Sequence, residues 1–178
     1  VVFAVPFAMD ATLRFVQAAA SLRDEGLRLG VVSQEPIERF PPELRSSLTA
    51  FHRVRNAMDP DQLTEGVKAL ARQMGGRVDR LIGILEPLQE ALAQTRENLG
   101  IEGMRPEAAR LFREKADMKD RLRAAGLPCA RHQLAETVEQ ALGFAKTSGY
   151  PIVIKPPAGA GAKGTCRVEN EAELVSYL

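Results

Sequence analysis

The chain has 178 residues and a mass of 19.4 kDa, and 45% of its residues are hydrophobic. This composition excludes a disordered chain, because enough apolar side chains are present for one sizeable core or two small ones. Twenty-four Lys and Arg against 23 Asp and Glu give a formal net charge of +1. The overall charge therefore predicts no binding to nucleic acid or to an anionic membrane, and any anion must be held by a local site.

Two further observations exclude other classes of protein. The sequence contains only two Cys and two His, too few for a Cys-rich zinc site or a disulfide scaffold. Its longest apolar stretch, residues 1–9, contains Pro6 and is too short to span a bilayer. That stretch also lacks the cationic start of a signal peptide. We therefore expect a cytoplasmic protein with no membrane-spanning segment.

The first hundred residues alternate β-branched apolar runs with amphipathic segments. Such alternation predicts an α/β domain with a small parallel, Rossmann-like sheet and right-handed crossovers. Gly26 and Gly100 are placed to end helices, and Asp59 followed by Pro60 is placed to begin one. We predict strands at 1–5, 29–32, 51–54 and 81–85, and helices beginning near residue 10, at 44–48, after Pro60 and at 87–99.

The composition and the spacing of apolar residues change at residues 101–106, which predicts two domains, 1–104 and 105–178. Thr137 with Gln140, and Asn170 with Glu173, form capping boxes that each open a helix. The last predicted helix reaches Leu178 without a residue that typically ends a helix, so we expect this helix to be truncated. In this part we predict helices at 107–115, 117–125, 137–147 and from 171, and strands at 130–134, 152–155 and 165–168.

A glycine motif lies between the last two predicted strands. Gly159, Gly161 and Gly164 satisfy the pattern G-x-G-x-x-G, but a dinucleotide fingerprint would need a helix after them. A glycine loop between two strands can instead fold over a polyphosphate, because residues without a Cβ let backbone N–H groups approach the oxygens. Lys155 and Lys163 place positive charge on both flanks of the loop.

Two other interpretations of this loop are open at this point. It could be a flexible hairpin tip with solvated lysines, although Lys155 ends an apolar strand, where a lysine is usually exposed unless an anion or a carboxylate pairs with it. A protein kinase also carries a glycine loop between strands. The HRD and DFG elements of kinases are absent, so we set that interpretation aside.

The chain contains, in order, Glu-Lys-Ala-Asp-Met-Lys at 114–119, Ala-Gly-Leu-Pro at 125–128, Ser-Gly-Tyr-Pro-Ile-Val-Ile-Lys-Pro at 148–156, and the glycine loop. Together these segments resemble the first half of an ATP-grasp domain. The sequence is most similar to the branch of biotin carboxylase and the carbamoyl phosphate synthase large subunit. The resemblance implies a Rossmann-like pre-ATP-grasp domain, then linker helices and the nucleotide-lid subdomain, with the ATP-grasp fold truncated at residue 178.

The resemblance also implies roles for individual residues. Lys115 and Lys155 would contact the nucleotide, the glycines would cover the β- and γ-phosphates, and Lys163 would approach the γ-phosphate. The family's adenine hinge and Mg²⁺ ligands lie further downstream, so we predict no metal ligand here and assign no catalytic residue. We expect the 178 residues to be part of a longer enzyme. The predicted ATP-binding residues are Lys115, Lys155, Gly159, Gly161, Lys163 and Gly164.

The activity implied by the resemblance is an ATP-dependent carboxylate-amine ligase that uses ATP and Mg²⁺. Its partners would be ATP, a small-molecule carboxylate and an amine, with no nucleic acid and no membrane, and a homodimer is compatible with this reading. The first alternative is a non-catalytic module of the same fold that binds or senses nucleotide. The second is a protein that binds a partner and whose glycine loop binds no nucleotide.

Overall fold

The computed structural model of the protein describes residues 1–158 and 161–178. The chain divides into two compact units, Val1–Ala109 and Arg110–Leu178, and the division falls within helix α5 (Pro106–Arg113). Each unit has a sheet and a core of its own.

A parallel sheet of four strands forms the centre of the first unit, as the alternation predicts. The strands are β1 (Val2–Val5), β2 (Gly30–Ser33), β3 (Ala50–Arg53) and β4 (Leu81–Ile82). Their order in the sheet is β3-β2-β1-β4, so the first strand lies inside the sheet and the chain extends the sheet on both sides of it. Phe3 pairs with Val31 on one side and with Ile82 on the other.

Helices cover both faces of this sheet, because strand residues point alternately to its two sides. Val2 and Ala4 pack into one core cluster with Leu63 and other side chains of α3 and α4. Phe3 and Val5 pack into a second cluster, with side chains of α1 and α2. The helices are α1 (Asp10–Ala20), α2 (Pro42–Ser47), α3 (Pro60–Gln73) and α4 (Gln89–Leu99), with short 3-10 helices at Ser21–Glu25, Ile37–Arg39 and Glu86–Leu88.

The helix boundaries follow the residues that predict them. Asp59 caps α3, since its Oδ1 accepts hydrogen bonds from the backbone N–H groups of Asp61 (3.0 Å) and Gln62 (2.9 Å). Gly26 and Gly100 have positive φ, 89° and 64°, where the preceding helical segments end.

The fourth strand is shorter than predicted and ends at Ile82. Side chains bind the carbonyl groups along this stretch of chain. The amide of Gln89 donates to the carbonyl oxygens of Gly83 (3.0 Å) and Leu85 (3.1 Å), and the guanidinium of Arg96 donates to that of Leu81 (2.7 and 3.1 Å). The carbonyl groups of Gly83 and Leu85 are therefore bound by a side chain and not by a neighbouring strand.

The second unit contains an antiparallel pair, β5 (Ile152–Ile154) and β6 (Cys166–Val168), packed against α7 and α8. The predicted N-caps are confirmed, because Thr137 Oγ1 accepts from the N–H of Gln140 and Asn170 Oδ1 accepts from that of Glu173. The helices are α6 (Lys115–Ala124), α7 (Val138–Ser148) and α8 (Glu171–Tyr177). In the described ranges, no helix is long and apolar enough to cross a bilayer.

Two predictions for the second unit are wrong. Residues 130–134 form no strand, and the side chain of Arg131 instead donates to the carbonyl oxygens of Thr147 (3.1 Å) and Ser148 (2.8 Å) at the end of α7. The helix predicted at 107–115 ends at Arg113. Glu114 has an extended backbone and precedes α6, so Lys115 is the first residue of the next helix.

Candidate functional site

The hairpin of β5 and β6 holds the glycine loop, defined here as residues 159–164. Ile152 pairs with Val168 and Ile154 with Cys166, which confirms the predicted strand-loop-strand arrangement. Val168 is fully buried with Leu174 of α8, and both belong to the core cluster of this unit. The base of the hairpin is therefore fixed by packing, while the loop extends beyond it.

The described part of the loop has a left-handed backbone at three positions. Gly161, Ala162 and Gly164 have φ values of 64°, 58° and 66°, and the N–H of Thr165 donates to the carbonyl oxygen of Ala162 at 3.1 Å. A Cβ on Gly164 would lie 2.9 Å from Cγ of Pro156, so both its φ and its surroundings require glycine. A Cβ on Gly161 would meet nothing within 4 Å. The predicted Gly159 lies outside the described residues.

The three predicted lysines differ in their surroundings. Lys155, directly after β5, and Lys163, in the loop, are exposed, and neither has a hydrogen bond or ion pair with any residue that the structure describes. Lys115 is half-buried and approaches the segment that leads into the loop. Both its backbone N–H (3.5 Å) and its Nζ (3.4 Å) point to the carbonyl oxygen of Pro157. The fold thus brings Lys115 next to a segment 42 residues further along the chain.

Two further side chains contact the backbone on either side of the loop, one just before it and one at its last residue, and neither is predicted from the sequence. Arg113, the last residue of α5, donates from Nη2 to the carbonyl oxygen of Ala158 at 3.4 Å. Tyr177, the last residue of α8, donates from Oη to the carbonyl oxygen of Gly164 at 2.8 Å. The acceptor of each bond is a backbone carbonyl group, so no sequence motif predicts these hydrogen bonds.

The arrangement suits an anion with several phosphates. It offers backbone N–H groups in a glycine loop together with lysines on its flanks, and phosphate oxygens accept hydrogen bonds from both kinds of donor. Residues 1–158 and 161–178 contain no group of three or more His, Cys, Asp and Glu side chains that could hold a metal ion. The lysines and the backbone N–H groups of the loop can neutralise and position such an anion.

Comparison with known proteins shows which ATP-binding proteins the chain resembles. Residues 114–178 match the family model described as the carbamoyl-phosphate synthase L chain, ATP binding domain. The chain is also 30% identical over 169 residues to the carbamoyl phosphate synthase large chain of Thermus thermophilus. That alignment covers 91% of this chain but only 16% of the relative, so the chain spans about a sixth of the relative's length.

Solved structures resemble almost the whole chain in fold. The biotin carboxylase domain of Hydrogenobacter thermophilus 2-oxoglutarate carboxylase has a TM-score of 0.74 at 24% identity, covering 98% of this chain and 38% of that one. The L-amino acid ligase of Bacillus licheniformis has a TM-score of 0.72 at 17% identity, covering 98% of this chain and 40% of that one. The predicted resemblance to the biotin carboxylase and carbamoyl phosphate synthase branch of ATP-grasp proteins is confirmed.

Proposed function

We propose that this chain is the ATP-binding N-terminal part of an ATP-grasp ligase, which activates a carboxylate as an acylphosphate for attack by an amine or another nucleophile. The observation that carries the proposal is the glycine loop between β5 and β6, flanked by lysines, within the segment that matches an ATP-binding domain. In this proposal residues 1–104 are the Rossmann-like pre-ATP-grasp domain. Residues 105–178 are the linker helices and the first part of the ATP-grasp domain.

The proposed roles follow from the charges and the backbone around the loop. Lys155 and Lys163 are exposed cations without a partner among the described residues, so a phosphate can approach them without breaking an ion pair. Lys115 would exchange its contact with the carbonyl oxygen of Pro157 for a stronger, charge-assisted bond to phosphate. Gly161 and Gly164 would present backbone N–H groups to the β- and γ-phosphates, together with Gly159.

The proposed reaction proceeds in two steps, formation of an acylphosphate and its attack by the nucleophile. An oxygen of the carboxylate attacks the γ-phosphorus of ATP and ADP leaves, which forms the acylphosphate. The nucleophile then attacks the acyl carbon, and inorganic phosphate leaves. Phosphoryl transfer asks the protein mainly for positioning and for neutralisation of spreading negative charge, which lysines and N–H groups provide.

A magnesium ion is expected to accompany the nucleotide, but the residues described here do not fit a site for it, since they include no cluster of metal-binding side chains. We therefore expect its ligands outside this chain and assign no step to it. The Hydrogenobacter biotin carboxylase domain is a dimer in complex with MgADP and bicarbonate, which supports ATP, Mg²⁺ and a small carboxylate as the ligand classes and is compatible with a homodimer. The name of the Bacillus ligase supports an amino acid as acceptor or donor.

Turnover is the test that separates the ligase from a nucleotide sensor. We expect the full-length protein to convert Mg-ATP to ADP and phosphate over repeated turnovers only when both a carboxylate and a nucleophile are supplied, because the acylphosphate forms only on a bound carboxylate and is consumed only by the nucleophile. A coupled ADP assay with a library of small carboxylates, including bicarbonate, and of amino acids and ammonia measures this. Tight ATP binding with no ADP release under any combination would favour the sensor instead.

A further inference from the structure

We propose that Arg113 and Tyr177 are positioning residues that fix the two ends of the glycine loop and thereby set the affinity of the protein for ATP. This inference rests on the proposed function, because it takes the loop to be the part of the protein that covers the β- and γ-phosphates. Neither residue is expected to touch the nucleotide. Each would act through the backbone carbonyl group that it binds.

Arg113 holds the first end of the loop. The residue is 9% exposed, and it is the one charged residue that is buried in the described part of the chain. Burial of a guanidinium is unfavourable unless hydrogen-bond acceptors replace the water molecules that it loses. The carbonyl oxygen of Ala158, 3.4 Å from Nη2, is one such acceptor. The position also favours a cation, because Arg113 ends α5, where the helix dipole is negative.

Tyr177 holds the second end. The 2.8 Å bond from its Oη reaches the carbonyl oxygen of Gly164, the last residue of the loop. Helix α8 presents this tyrosine from a fixed position, because Leu174, one turn earlier, is buried in the same cluster as Val168 of β6. A Cβ at position 164 would lie 2.9 Å from Cγ of Pro156, so the position that Tyr177 binds accepts only glycine.

The two anchors enclose a short segment. The two acceptor carbonyl groups belong to Ala158 and Gly164, on either side of the segment that would cover the phosphates, so each bond restrains the backbone next to that segment. A loop held in place before the ligand arrives loses less entropy on binding, which raises affinity without any new contact. Loss of either anchor should therefore weaken ATP binding although the nucleotide loses no contact with the altered side chain.

The test compares Tyr177→Phe, which removes one hydroxyl, with Tyr150→Phe as the matched control. The hydroxyl of Tyr150 is buried in the same unit and has no hydrogen-bond partner among the residues that the structure describes, so its removal should leave the loop unchanged. Calorimetry on the full-length protein should show ATP affinity falling about threefold to tenfold in Tyr177→Phe and staying at the wild-type value in Tyr150→Phe. AMP, which lacks the β- and γ-phosphates, should bind all three proteins equally.

Arg113 is tested with two variants, since removal of a buried charge could also affect folding. Arg113→Met should weaken ATP binding about tenfold, and Arg113→Lys, which keeps a cationic donor, should recover part of the loss. Amide hydrogen exchange without nucleotide should be faster at Gly161 and Gly164 in Tyr177→Phe and Arg113→Met, but unchanged in Tyr150→Phe. Wild-type ATP affinity in folded Tyr177→Phe and Arg113→Met would overturn this inference alone. A wild-type protein that binds no ATP would overturn the proposed function as well.

Discussion

Replacement of Lys155 or of Lys115 by alanine is expected to weaken ATP binding about tenfold to hundredfold. A hydrogen bond from a charged group contributes roughly 1.5 to 3 kcal/mol, and every 1.4 kcal/mol corresponds to about a tenfold change in the dissociation constant. Lys155 is exposed beside the loop, and Lys115 already approaches the carbonyl oxygen of Pro157 next to it. Calorimetric titration of the full-length protein with ATP measures the effect.

Lys146→Ala is the matched control for these two variants. Lys146 is an exposed lysine of α7 in the same unit, and an exposed charge contributes about 0 to 1 kcal/mol to any interaction. We expect its ATP affinity to match that of the wild type. Equal losses in all three variants would mean that the protein binds ATP through its general positive charge rather than through Lys115 and Lys155.

Gly161→Val is expected to reduce ATP affinity by about tenfold or more while the protein stays folded. Gly161 has a φ of 64°, and a left-handed backbone costs a residue with a Cβ roughly 1 to 2 kcal/mol. The branched side chain would stand in open space next to the N–H groups that phosphate must approach, so it obstructs the ligand without disturbing a core. Calorimetry and thermal unfolding measure the two effects separately.

The control for backbone strain is Gly26→Val. Gly26 ends a helical segment in the first unit with a φ of 89°, and a Cβ there would also meet nothing within 4 Å. Both variants should lower the unfolding temperature by similar amounts, but only Gly161→Val should lose ATP affinity. Unchanged affinity in folded Gly161→Val would show that the loop does not approach the phosphates.

The elements that the sequence predicts well are those specified by local chemistry. Asp59 and Pro60 define the start of α3, and Gly26 and Gly100 define two helix ends, because caps and left-handed residues act within one turn of the chain. The end of β4 was not predictable in this way. It depends on the side chains of Gln89 and Arg96, which reach it from α4 after the chain has folded.

The candidate site likewise has features that the local sequence specifies and features that depend on the tertiary fold. The glycine loop and its flanking lysines are visible in the sequence, since two β-branched runs around a glycine-rich segment predict a hairpin. The contacts of Arg113 and Tyr177 are not visible, because each binds a backbone carbonyl group and any residue could supply that group. Arg113 lies 45 residues from its acceptor, so only the tertiary fold reveals the pair.

The central claim is that this glycine loop and its lysines bind the phosphates of ATP. Its most direct test is a titration of the 178-residue chain with nucleotide, monitored by two-dimensional NMR of the backbone amides. We predict weak binding in the order ATP, ADP, AMP, with the largest shifts at Gly161 and Gly164. The shifts should not depend on Mg²⁺, because the described residues offer the ion no site, and no ADP should be released. AMP binding as tight as that of ATP, or shifts confined to residues outside the loop and its flanking lysines, would contradict the claim.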